Sequence, residues 1–163
     1  MLLTDMFVGG TGIYCFNCTC LTVVLMCGDQ YGFVPHADEK IIIESKYLNE
    51  NGRRDVNLRA AFRLLVLDAP MGAGKTEVAG EYIRSRPSSS ILSITFRTAL
   101  AVYLSNRWGL NSYTDEHFWG DEDKERRSVV CLDSIWRLNK VDAYEYVIID
   151  EATFVQYHFL SGI

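Results

Sequence analysis

From Leu64 onward the chain alternates short apolar runs with amphipathic stretches. Leu64-Leu65-Val66-Leu67 and Ile91-Leu92-Ser93-Ile94 predict two strands, each followed by a helix, over Thr76 to Ser85 and Thr98 to Asn106. Val78, Ala79, Tyr82 and Ile83 fall on one face of the first helix, and Pro87 with Ser88, Ser89 and Ser90 ends it. Val129-Val130-Cys131-Leu132 and Tyr146-Val147-Ile148-Ile149 predict two more strands, the second running directly into Asp150-Glu151. Strands alternating with helices predict an α/β fold, a parallel sheet with flanking helices. Between them, Asn106 to Ser128 is polar, dotted with aromatics, and carries Asp121-Glu122-Asp123-Lys124-Glu125-Arg126-Arg127, which predicts a surface insertion. Upstream, Lys40-Ile41-Ile42-Ile43-Glu44 is a short β-branched run before the turn Asn49-Glu50-Asn51-Gly52. The pattern divides the chain into a cysteine-rich lead-in of unknown role, residues 1–39, and an α/β domain over 40–163.

Length sharpens this picture, because 163 residues suffice for one domain with a core and not for two stacked lobes. The apolar share of 48% with 23% charged residues reads as globular. A net charge of -5 offers nucleic acid no general attraction, although Arg97, Arg107, Arg126 and Arg127 could form a local basic strip. Ile13 to Cys27 is apolar, but it has no basic flank, contains Asn17, Thr19 and Thr22, and falls short of the ~20 residues of a bilayer span. Neither a signal peptide nor a membrane helix is expected. Five cysteines, an odd number, suit a reducing intracellular compartment without disulfides. Cys15-Phe16-Asn17-Cys18 has the spacing of a zinc knuckle, with Cys20, Cys27 or His36 as further ligands, yet no second such pair follows. Cysteines in an apolar run more often serve as buried hydrophobes.

Chemistry concentrates in Ala69-Pro70-Met71-Gly72-Ala73-Gly74-Lys75-Thr76, a glycine-rich turn between an expected strand and an expected helix. Gly72 and Gly74 let the backbone curl around phosphate, so that the loop Pro70, Met71, Gly72, Ala73, Gly74, Lys75 and Thr76 encloses ATP, with the N–H groups after Pro70 as donors. Lys75 would neutralise the β- and γ-phosphates, and the Thr76 hydroxyl would ligate Mg²⁺. Asp150, at the end of an apolar strand, could hold the same Mg²⁺ through water while Glu151 polarises the attacking water. Lys75, Asp150 and Glu151 are the expected catalytic residues.

The loop Ala69 to Thr76 resembles the ATP loop of the herpesvirus replication origin-binding protein family, a superfamily 2 DNA helicase group. Thr95-Phe96-Arg97-Thr98-Ala99-Leu100 is similar to that family's motif Ia, and Cys131-Leu132-Asp133-Ser134-Ile135-Trp136-Arg137-Leu138 to its next block. Glu44-Ser45-Lys46-Tyr47-Leu48 bears a fainter likeness to its lead-in. The similarity spans roughly residues 40 to 155, and its loop has Ala69 at the first position, where the usual loop has glycine. It implies a P-loop NTPase (RecA-like) fold, ATP and Mg²⁺ as cofactors, coupling of hydrolysis to DNA unwinding, and nuclear residence. It implies weak contact with single-stranded DNA through Arg97 and Ser134. Without the resemblance, Arg97 reads as a solvated arginine at a helix start and Ser134 as a helix N-cap.

Against the family pattern the chain looks truncated. It stops at Ile163, without the later motifs and without the second lobe that supplies an arginine to the γ-phosphate. The strand that normally enters between the loop strand and the Asp-Glu strand has no downstream sequence, so the two halves of the site are expected to lose register. Weak or absent hydrolysis follows, since such an arginine is worth ~10³ to 10⁵ in rate, unless a second lobe joins in trans. Two other readings compete. Cellular-type thymidine kinases share the Pro-Met before the glycines and a block similar to Asp150-Glu151-Ala152-Thr153-Phe154, but not the other two blocks. A non-catalytic nucleotide-binding fragment is the second.

Overall fold

The computed structural model describes residues 6–9, 22–27, 39–43, 47–48, 64–69, 71–138, 144–152, 154–155 and 157. Among them, eight strands form one sheet: β1 Met6–Gly9, β2 Thr22–Cys27, β3 Glu39–Ile43, β4 Leu64–Asp68, β5 Ile91–Thr95, β6 Asn111–Ser112, β7 Arg127–Cys131 and β8 Tyr146–Ile149. All pairings are parallel, in the order β3-β2-β4-β1-β8-β5-β7-β6. The helices are α1 Lys75–Arg84, α2 Thr98–Trp108 and the single turn α3 Glu122–Glu125, with a 3₁₀ helix over Leu132–Arg137. The α/β architecture with a parallel sheet is thus the one expected from the alternation of patterns.

Every residue of β5 is buried, as in a parallel strand covered on both faces. Side chains alternate between two cores. Ile91, Val129 and Ile148 join Val78, Ala79, Tyr82 and Ile83 of α1 and Ala101, Leu104 and Trp108 of α2 on one face. Leu92, Ile94, Val130, Val147 and Ile149 meet Phe118, Tyr144, Ala152 and Val155 on the other.

Two expectations change. The stretch 106–128 is built into the domain: Trp108, Leu110 and Phe118 are core residues, and β6 extends the sheet beside β7. Its charged run also contains the fully buried Glu125, whose carboxylate accepts from the Gly120 N–H at 2.8 Å and whose carbonyl accepts from the Tyr144 and Ser128 hydroxyls. Burial and the Glu125 charge push the Tyr144 hydroxyl up to about 12. Polarity misled because a buried carboxylate held by hydrogen bonds looks, in sequence, like a solvated one. The second change is the slot between β4 and β8. β1 fills it, Val8 pairing with Val66 on one side and Ile149 on the other. Two parallel strands separated by a gap leave ladder groups unpaired, and a short apolar strand from upstream satisfies them as well as one from downstream. The sheet therefore crosses residue 39, with β2 also paired to β4.

Among the described residues no helix is long and apolar enough to cross a membrane.

Candidate functional site

The chain leaves β4 at its carboxyl end and turns into α1 through Ala69 to Gly74. Gly72 and Gly74 take φ of 79° and 86°, in the left-handed region that a Cβ disfavours, which is what the two glycines are for. Gly74 caps α1 without a side-chain hydrogen bond, so Lys75 and Thr76 open the helix, where free N–H groups and the helix dipole favour an anion. Lys75 Nζ reaches back six residues to donate to the Ala69 carbonyl, closing the turn like a clasp. Ala73 is buried, Lys75 and Thr76 are half-buried, and Met71 stands almost wholly exposed at 97%. Pro70 lies outside the described residues.

Two contacts that the sequence did not reveal hold this turn. The Leu48 N–H donates to the Ala73 carbonyl at 2.8 Å, with the Leu48 side chain fully buried, so the segment at Tyr47-Leu48 braces the loop from outside. The Trp108 indole N–H donates to the Thr76 carbonyl at 3.0 Å from the end of α2. An added Cβ on Gly80 would come within 2.8 Å of that same indole, so Gly80 is the space it occupies. A small residue one turn into a helix, with a tryptophan downstream, was the available signal.

Asp150 follows β8 at the same carboxyl edge. Burial and then the Glu151 charge push its carboxyl above the usual range, while the Glu151 backbone N–H and the positive charge of Lys75 pull the other way. That influence of Lys75 brings loop and carboxylate into one electrostatic neighbourhood, although β1 separates their strands. Glu151 is exposed and sits at φ 52°, an uncommon conformation for a non-glycine residue, with its carbonyl accepting from the Phe154 N–H.

The other expected residues separate. Arg97 is exposed at the N-terminus of α2, behind a turn in which the Thr95 hydroxyl binds the Arg97 backbone; its guanidinium lies 4.8 Å from the Phe96 ring centroid. Ser134 is half-buried inside the 3₁₀ helix, whose cap is Cys131, and so is no N-cap. Of the proposed basic strip, Arg127 donates to the Arg86 and Ser89 carbonyls, Arg126 reaches the Ser88 carbonyl and Arg107 pairs with Glu77. Those three serve the fold. Cys15, Cys18, Cys20 and His36 lie outside the described residues, and the side chain of Cys27 is not described; among described residues, no cluster fit for a metal ion is present.

Comparison with protein-family models, curated proteins and solved structures gives no significant match.

Proposed function

We propose that this chain is the ATP-binding lobe of a RecA-like P-loop NTPase that works on DNA, of the kind resembled by its loop and motif blocks. The observation that carries the reading is the placement of Lys75, at a helix start behind two left-handed glycines, and of Asp150, at the end of β8, on the same carboxyl edge of the parallel sheet with β1 between their strands. In this reading the loop amides and Lys75 hold the triphosphate of ATP. Thr76 and Asp150 hold Mg²⁺, which would neutralise developing charge on the phosphates, and Glu151 orients the attacking water. A carboxyl crowded by a second carboxylate is one that a divalent cation relieves, and that crowding at Asp150 supports the assignment. Arg97 and Ser134 contact the DNA backbone, a second lobe engages in trans, and the protein resides in the nucleus.

Calorimetric titration with Mg-ATP tests the site. Lys75→Ala removes a charged hydrogen-bond donor and is expected to weaken binding roughly 10- to 100-fold. Glu151→Gln is expected to keep affinity and lose residual hydrolysis, because the amide cannot take the proton from water. Equal ATP affinity in Lys75→Ala and parent would overturn the assignment.

A further inference from the structure

We infer that Phe154 is a positioning residue: its ring, stacked on Phe96, holds the turn after β8 so that Glu151 stays in its left-handed conformation with its carboxylate exposed. The inference rests on the role given to Glu151 above and deepens it, since that role names a carboxylate and not what keeps it in place.

β5 and β8 are neighbours with Ile94 opposite Ile149, so the segments that begin at Thr95 and at Asp150 start side by side at the carboxyl edge. The first segment is fixed. Thr95 is fully buried, and its hydroxyl accepts from the Arg97 N–H at 3.1 Å and donates to the Arg97 carbonyl at 3.0 Å. Phe96 is thereby held between a buried strand and a locked turn, with the Arg97 guanidinium 4.8 Å from its ring centroid. The second segment carries the strain. Glu151 sits at φ 52°; its N–H donates to the Asp150 carboxylate at 3.2 Å, and its carbonyl accepts from the Phe154 N–H at 2.9 Å and the Val155 N–H at 3.3 Å. Ala152 and Val155 are fully buried and tie the turn to the core. Phe154, between them in sequence, is 53% exposed, and its ring stacks on Phe96 with centroids 5.0 Å apart and planes at 16°. A ring placed for burial alone would turn inward as Ala152 and Val155 do; this one bridges to the end of β5.

Magnitudes fit the role. The left-handed conformation is disfavoured roughly 5- to 30-fold for a residue with a Cβ. A stacked aromatic pair contributes roughly 2- to 12-fold beyond its burial, and each backbone hydrogen bond about as much. Two such bonds, one of them long at 3.3 Å, leave the balance close, and the stack tips it. A carboxylate that orients an attacking water has to stay within about 0.5 Å of its working position, and a change of φ at Glu151 would swing its whole side chain.

The test reads the φ-dependent three-bond couplings of Glu151 by nuclear magnetic resonance in the full chain without nucleotide, so that failure of the ATP assignment leaves the result readable. The parent should show a positive φ. Phe154→Ala and Phe96→Ala should each reduce the left-handed population, with the Val155 amide exchanging roughly 2- to 12-fold faster, and the double variant should add little because either change alone removes the stack. Phe154→Tyr keeps the ring and should match the parent. Amides of β7 should exchange at the parent's rate in every variant, which separates a local effect from a general loss of stability. In single-turnover assays with Mg-ATP, Phe154→Ala should lower the hydrolysis rate by up to the same factor and leave affinity as it is. Glu151 couplings that keep their parent values in Phe154→Ala, faster exchange throughout the sheet, or rescue by Phe154→Leu equal to that by tyrosine would overturn the inference. A parent that binds or hydrolyses no ATP would overturn the ATP reading instead, and the couplings alone then decide the role of Phe154.

Discussion

Asp150 shows how one residue's surroundings set its chemistry. Burial and Glu151 raise its pKa in the folded chain above the ordinary value of 3.8. Such a carboxyl holds its proton more tightly when folded than when unfolded. Its stabilising contribution is therefore full below the ordinary value and is lost as pH rises through the raised folded one. Asp150→Asn fixes the neutral form while keeping an oxygen for the Glu151 N–H. The variant should be more stable than the parent at neutral pH in urea unfolding, with the advantage shrinking as pH falls into the acid range. Coincident midpoints at neutral pH would show that the carboxylate is not crowded. The Asp-Glu pair was legible in sequence because it ends an apolar run. The positive φ of Glu151 was not, since nothing in the adjacent residues requires it.

At the scale of elements, α1 and α2 are joined more by one indole than by their charges. The exposed pair Arg107–Glu77 contributes little, because water and salt screen it. Trp108 fills the space over Gly80 and donates to the first turn of α1, so the helix after β5 helps to hold the turn that carries Lys75 and Thr76. In an exposed helix, Gly→Ala would gain up to about 1 kcal/mol of helix propensity. Here the new methyl meets a buried ring, and Gly80→Ala should instead destabilise the protein by about 1–3 kcal/mol. Chemical denaturation measures this, and a gain in stability would mean that the ring moves aside without cost. Helix periodicity revealed which face of α1 is buried, yet it could not reveal that Gly80 belongs to that face for lack of a side chain.

For the molecule as a whole, the order of strands matters more than their number. The glycine loop follows β4 and the carboxylates follow β8, and neither strand touches the other; β1 hydrogen-bonds to both. β1 thereby sets the separation of the strands that lead into residues 69–76 and 150–151. Proline at a central strand position removes a ladder donor and fixes φ. Val8→Pro should lower both thermal stability and Mg-ATP affinity, whereas the same change at the edge strand β3, Ile41→Pro, should spare more of the affinity. ATP titration and thermal melts of the two variants decide it, and full ATP affinity in Val8→Pro would show that β1 does not set the site's spacing.

The sequence by itself determined the local elements and the turn: strands at 64–68, 91–95 and 146–149 and helices from 75 and 98 stand within a few residues of where the apolar periods put them. These depend on near neighbours, on φ preferences at Gly72 and Gly74 and on which face is apolar, and near neighbours are what a sequence displays. Tertiary structure alone decided which strand fills the gap between β4 and β8, that Glu125 is buried, and that Tyr113 and Trp119 connect Thr98 to Arg137. Each depends on residues far apart in the chain competing for one place. The winner is fixed by which unpaired backbone groups, buried charges and ring faces can be satisfied together.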